Sequence, residues 1–146
     1  MCGFLKAGIT KQPTDVLVTS GSKATVTIGA VGDGLTYEWY YRNQGYYYFY
    51  LDTSFTGNTY SVDANATSNG RQIYCIVTDK YGNSVKSNTA TISTKNVAKI
   101  STQPVSVTVA NGKKATVTVK AVGDGLTYKW YYKEKSRSYF SLTKSF

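Results

Sequence analysis

AVGDGLTYEWYY, residues 30–41, returns as AVGDGLTYKWYY at residues 121–132, with position 38 the single difference. Outward from that pair, residues 9–55 align without a gap on residues 100–146 at a constant offset of 91, and 27 of the 47 aligned pairs are identical. Pro13 falls on Pro104, Trp39 on Trp130 and Phe55 on Phe146. Self-similarity of that length marks a repeat architecture. The chain reads as one whole repeat and the first half of a second. A tail is expected at 1–8, a domain at 9–94, a linker at 95–99 and a truncated copy at 100–146.

Within the repeat the hydrophobic period is two. Ala24, Val26, Ile28 and Ala30 alternate with Thr25, Thr27 and Gly29, the pattern of a strand buried on one face. Leu35, Tyr37, Trp39 and Tyr41 alternate in the same way, and so do Ile73, Cys75 and Val77. Gly32-Asp33-Gly34 supplies a tight turn between the first two strands, and Lys80-Tyr81-Gly82-Asn83 follows the third. Short alternating strands with a turn every 8–12 residues predict an all-β sandwich. No stretch carries a helical period.

Val26, then Trp39 thirteen residues on, then Tyr74-Cys75 in a late strand resembles an immunoglobulin-like sandwich. The tail of the repeat, YCIVTDKYGNSVKSNTATI at residues 74–92, is similar to the last hairpin of the immunoglobulin-like repeats of bacterial and phage surface proteins. The resemblance implies an immunoglobulin-like β-sandwich in tandem, the second copy truncated, with Val26, Trp39 and Cys75 in its core and Trp130 in the equivalent place of the second copy. Two departures go with it. Val26 stands where antibody domains carry their first cysteine, and Ile73 stands at the tyrosine-corner position. Both point to the disulfide-free kind.

Composition removes most chemistry. The 146 residues are 41% hydrophobic and include 14 Tyr, but no His. Without imidazole there is no Ser-His-Asp or Cys-His pair and no histidine metal site. Two cysteines make neither a thiolate zinc site nor a disulfide framework. Cys2 is expected in the tail and Cys75 as a buried, inert thiol. The eight acids form no tight sequence pair, and Asp33 and Asp124 read as turn residues between glycines. Gly32-Asp33-Gly34 is too short for a phosphate loop. No catalytic residue, cofactor or metal is expected. No apolar run reaches the roughly 18 residues of a membrane span, and residues 1–10, MCGFLKAGIT, lack the apolar stretch of an export signal.

Charge is uneven: residues 1–99 carry nine basic and six acidic side chains, a net +3, and residues 100–146 carry eight and two, a net +6. Lys129, Tyr131, Lys133 and Lys135 share one strand face by alternation, with Arg137 beyond. Such a face suits a polyanion or an edge strand blunted by lysines. The matching residues of the first copy are Glu38, Tyr40, Arg42 and Gln44, which argues against nucleic acid.

Comparison of the copies singles out one segment. Residues 42–47 differ at all six positions, and Tyr50, Asp52 and Thr53 differ too, whereas Tyr48, Phe49, Leu51 and Phe55 are retained. A fixed scaffold with varied tyrosine-rich neighbours resembles the logic of a paratope, although drift in an unconstrained turn leaves a similar trace. The candidate binding residues are therefore Tyr40, Tyr46, Tyr47, Tyr50 and Asp52, with Tyr131, Lys133, Lys135 and Arg137 in the second copy. The expected function is a non-catalytic repeat module of a surface or secreted bacterial or phage protein, acting in adhesion, ligand binding or as a stalk. A subunit that self-assembles through residues 100–146 and a carbohydrate-binding accessory module are the alternatives. The expected partner is a protein or glycan at a cell or virion surface.

Overall fold

The computed structural model describes residues 3–146, and Cys2 lies outside them. The chain forms two compact units, Met1–Lys95 and Asn96–Phe146. The first contains β1 (Gly8–Lys11), β2 (Val16–Thr19), β3 (Lys23–Thr27), β4 (Gly29–Val31), β5 (Thr36–Arg42), β6 (Tyr50–Asp52), β7 (Thr59–Asp63), β8 (Arg71–Thr78), β9 (Ser84–Lys86) and β10 (Ala90–Lys95). One layer is ordered β2-β10-β8-β5-β6 with β9 beside β8; β3 pairs with β7 and β1 with β4 in the other. All pairs are antiparallel except β10 on β2. This is an all-β sandwich, and period-two alternation is its cause.

Alternation turns Ala24 and Val26 inward from β3, and Ile73, Cys75 and Val77 inward from β8. Trp39 lies opposite Cys75 across β5 and β8, and Trp39, Cys75, Ile73 and Tyr60 are wholly buried. Each such large side chain contributes about 1.5–3 kcal/mol by leaving water. Polar atoms taken inside are satisfied. Trp39 Nε1 donates to the Gly57 carbonyl at 2.8 Å, and Arg71 Nη1 donates to the Tyr60 hydroxyl at 2.9 Å. Val26 and Cys75 sit in the core with no disulfide, Cys75 being a free thiol. Burial pushes that thiol up to about 12.

Residues 4–7, expected as part of a tail, are tied to the sandwich. The Leu5 amide donates to Asp33 Oδ2 at 2.9 Å, the Ala7 amide to Asp79 Oδ2 at 2.9 Å, and the Phe4 and Tyr81 rings meet at 4.9 Å. Asp33 is thus more than a turn residue. Gly32 has φ +145°, and a Cβ there would stand 3.0 Å from the Ala7 Cα, so only glycine lets the strap lie this close.

The second unit contains β11 (Lys99–Thr102), β12 (Lys120–Val122), β13 (Tyr131–Tyr132) and β14 (Ser141–Leu142). Its pairings repeat those of the first unit at the same offset, irregularity included: Ile100 opposite Ala121 as Ile9 is opposite Ala30, and Tyr131 opposite Leu142 as Tyr40 is opposite Leu51. The Asn96 amide donates to Asp124 Oδ2 at 2.8 Å, matching Leu5 on Asp33. The expected linker at 95–99 is therefore bonded throughout much of its length: Lys95 accepts from Ser20, and Lys99 opens β11. Trp130, expected in a core, is a correction. It is only half-buried, and Val117 is 42% exposed where Val26 is 3% exposed. The physical reason is that residues 96–146 hold no counterpart of β7, β8 or β10.

Candidate functional site

The candidate site is the outer face of β9, β8, β5 and β6, together with the loop at residues 43–49. In an antiparallel sheet, residues directly opposite share a face. Tyr40 lies opposite Tyr74 on one side and Leu51 on the other, and Ile76 lies opposite Lys86. The alternation that buries Ile73, Cys75 and Val77 therefore turns Tyr74 and Ile76 outward beside Tyr40.

Tyr40 and Tyr74 stack at 5.1 Å with their planes 13° apart. Lys86 Nζ stands 4.2 Å over the Tyr74 ring from the β9 side, and Phe49 closes on Tyr74 at 4.8 Å. Arg42 lies 4.6 Å over Phe49. Aromatic pairs and cations over rings each contribute about 0.5–1.5 kcal/mol, so this face is a held arrangement. Desolvation, followed by the Glu38 carboxylate, holds the Tyr40 phenol above its ordinary range.

The loop is braced from both ends. Arg42 donates to the Tyr47 carbonyl at 3.2 Å and to the Gln72 side chain, while Arg71 Nε donates to Asn43 Oδ1 at 2.8 Å. Gly45 takes φ +88°, which lets the chain reverse. The result lifts Tyr46, Tyr47 and Tyr48 into solvent at 62%, 88% and 74% exposure. Beside the loop is an open polar cleft of about 430 Å³ between Arg42, Gln44, Gly70, Gln72 and Thr91.

The structure divides the residues expected to bind. Tyr40, Tyr46 and Tyr47 adjoin the outer face. Tyr50 and Asp52 lie opposite Tyr41 and Trp39, which places them on the inward side of the edge strand. Asp52 Oδ1 accepts from the Ser54 amide at 3.1 Å, a turn-forming role. In the second unit Tyr131, Lys133, Lys135 and Arg137 are all exposed, but the strand ends at Tyr132 and Lys135 stands in a turn. They do not share one strand face. Lys133 sits 5.4 Å over Phe140, repeating Arg42 over Phe49. Arg137 Nη1 donates to the Tyr139 hydroxyl at 2.7 Å.

Phe49, Arg42, Tyr74 and Lys86 belong to the face and were not among the expected binding residues. The signal for Tyr74 was present, since it alternates with Cys75. Among the described residues, no three His, Cys, Asp or Glu side chains gather where a metal ion would be held, and no helix is long and apolar enough to cross a membrane.

No family model matches the chain, and no curated protein matches it. Solved structures do. Immunoglobulin domains 1–5 of Sidekick-1 match at a TM-score of 0.55 and 17% identity, covering 92% of this chain and 29% of that one. The N-terminal four Ig domains of Dscam1 isoform 4.44 match at 0.56 and 16%, covering 91% and 36%. Titin domains z1z2 in complex with telethonin match at 0.50 and 19%, covering 91% and 71%. The chain thus spans about a third of the length of the Sidekick-1 and Dscam1 chains. At such identities the likeness concerns the fold alone, and the fold it shows is immunoglobulin-like.

Proposed function

We propose that this chain is a non-catalytic immunoglobulin-like module of a surface or secreted assembly, of the disulfide-free kind resembling bacterial and phage repeats, and that it binds a protein. The partner rests on the outer face formed by Tyr40, Phe49, Tyr74 and Lys86 and on the raised tyrosines of the 43–49 loop. The observation that carries this reading is the occupation of the Tyr74 ring on both sides, by Tyr40 at 5.1 Å and by Lys86 at 4.2 Å. Sugar stacking needs a free ring face. A sheet face of packed ring edges with cations at its margins instead suits a protein surface, where rigid aromatics give contact area at little entropic cost. The titin pair that this chain resembles is itself described in complex with a protein, telethonin, which supports the reading by analogy.

The test immobilises the full chain and offers it a glycan array and, separately, surface extract before and after protease treatment. Saturable binding that protease abolishes, and that the Tyr46→Ser/Tyr47→Ser variant loses, is the expected result. Binding to a defined glycan, or binding that survives protease, overturns the protein reading in favour of the carbohydrate one.

A further inference from the structure

The open polar cleft beside the 43–49 loop is rich in hydrogen-bond donors and holds no acid. Among the described residues the one ion pair is Lys23 with Asp63, at 3.3 Å, so Arg42, which lines the cleft, has no carboxylate within ion-pair distance. Its guanidinium donates to neutral oxygens instead, the Tyr47 carbonyl at 3.2 Å and the Gln72 side chain. Gln72 thereby commits its amide oxygen to Arg42, and Asn43 commits its own to Arg71 Nε at 2.8 Å. An amide whose oxygen is engaged still offers its NH2 group. The walls therefore present Arg42, the amides of Asn43 and Gln72 and the Thr91 hydroxyl, without an acidic residue.

Gly70 forms part of one wall with φ +80°, and a Cβ there would stand 2.6 Å from Gln44 Oε1, so a side chain at that position would collide with Gln44. The lack of an acid is particular to the first copy. Residues 42–44 and 46 are Arg, Asn, Gln and Tyr, and their matches are Lys133, Glu134, Lys135 and Arg137. Where the first copy sets the neutral Asn43 beside its cation, the second sets the acid Glu134 beside its own.

We propose that this cleft takes an acidic side chain, an aspartate or glutamate, of the polypeptide that docks on the outer face, an inference that rests on the protein partner proposed above. An ionised carboxylate only accepts hydrogen bonds and takes several donors at once, which is what these walls offer. Bonds between a guanidinium and a carboxylate are also the strong ones. Tyr46 lines the cleft at 62% exposure and Tyr47 follows it at 88%, so the acid enters beside aromatic contact area. The partner's segment thus carries an acid next to an aromatic or aliphatic residue. An acidic glycan fits less well, because sugar hydroxyls donate as well as accept, and the amide oxygens of Asn43 and Gln72 are already engaged.

The isotope-labelled full chain is titrated, with NMR detection, with the blocked tripeptide tyrosine–glutamate–tyrosine, with the same peptide carrying glutamine for glutamate, and with a hyaluronate oligosaccharide. The glutamate peptide should shift the amides of residues 43–46, 70–72 and 91 saturably and bind more weakly as salt is raised. The glutamine peptide should bind about tenfold or more weakly. Arg42→Gln should lower affinity for the glutamate peptide by a similar factor. Asn43→Glu, which gives the cleft an acid of its own and leaves Arg42 in place, should do the same. Lys11→Gln, the same loss of charge at an exposed lysine of β1, should leave affinity unchanged. Equal binding of the glutamine peptide, an equal loss in Lys11→Gln, or an equal affinity for hyaluronate each overturns the proposal, and the last would assign the cleft to an acidic glycan. Protease-sensitive binding that Asn43→Glu keeps and Tyr46→Ser/Tyr47→Ser loses would overturn the acid pocket alone and leave the protein partner standing.

Discussion

Leu5 and Asp33 hold each other twice: the Leu5 amide donates to the Asp33 carboxylate at 2.9 Å, and the Asp33 amide donates to the Leu5 carbonyl at 3.0 Å. Asn96 and Asp124 repeat the arrangement at 2.8 and 3.0 Å. The structural repeat therefore starts at Leu5 and Asn96, upstream of where sequence identity becomes dense.

Acid should loosen this strap. The Leu5 amide and then the Tyr81 hydroxyl hold the Asp33 carboxyl below its ordinary value, with Lys80 adding to them and Asp79 opposing. At Asp79, burial pushes upward, but the amides of Ala7, Asn83 and Tyr81 and the Asn83 side chain prevail and the carboxyl is lowered. For a depressed carboxyl the stabilisation is complete above the unfolded value near 4 and is lost as pH falls through the folded one. Protection at the Leu5 and Ala7 amides, taken relative to the exchange rate of a free amide at the same pH, should be high at neutral pH and fall below about pH 4. Asp33→Asn should flatten that dependence at Leu5 and leave it at Ala7.

The two tryptophans should differ. Trp39→Ala removes a wholly buried indole and should cost about 3–5 kcal/mol. Trp39→Phe should cost about 1–3 kcal/mol, in part by leaving the Gly57 carbonyl without its donor. Trp130→Ala, at a half-buried position, should cost under about 1 kcal/mol. Urea unfolding of the three variants checks the ranking, and equal costs at Trp39 and Trp130 would contradict the structure.

Tyr46→Ser/Tyr47→Ser should leave the unfolding midpoint within about 0.5 kcal/mol of the parent, because both rings stand in solvent. Tyr74→Ala should cost more, about 1–2 kcal/mol, since its ring is stacked with Tyr40, touched by Phe49 and capped by Lys86. A large loss from the loop pair would mean that those tyrosines are packed.

Cys75 should be unreactive. Its thiol is wholly buried and its pKa is raised to about 12 by burial, and the thiolate is the reacting species. A neutral disulfide reagent at pH 8 should leave one thiol per chain unmodified until denaturant is added. Labelling at Cys75 in the native chain would show that the core opens.

Trp39, Val26 and Cys75 were legible because alternation is a property of one strand and burial follows from it locally. The 91-residue offset likewise carried the strands of the first unit onto the second. Trp130 is only half-buried. Its local pattern is that of Trp39, but burial needs a covering layer, and residues 96–146 contain none.

The sequence by itself determined a repeat, a period of two, an all-β sandwich without a disulfide, and a tyrosine-rich segment that varies over a constant scaffold. Only the tertiary structure decided which aromatics meet. Tyr40 and Tyr74 stack because β5 and β8 are neighbours in one register. Lys86 caps the pair because β9 turns back beside β8. Tyr50 and Asp52, near Tyr47 along the chain, are sent to the other side of the sheet by that same register. Pairing between distant strands is set by the packing of the whole sandwich, and no local pattern encodes it.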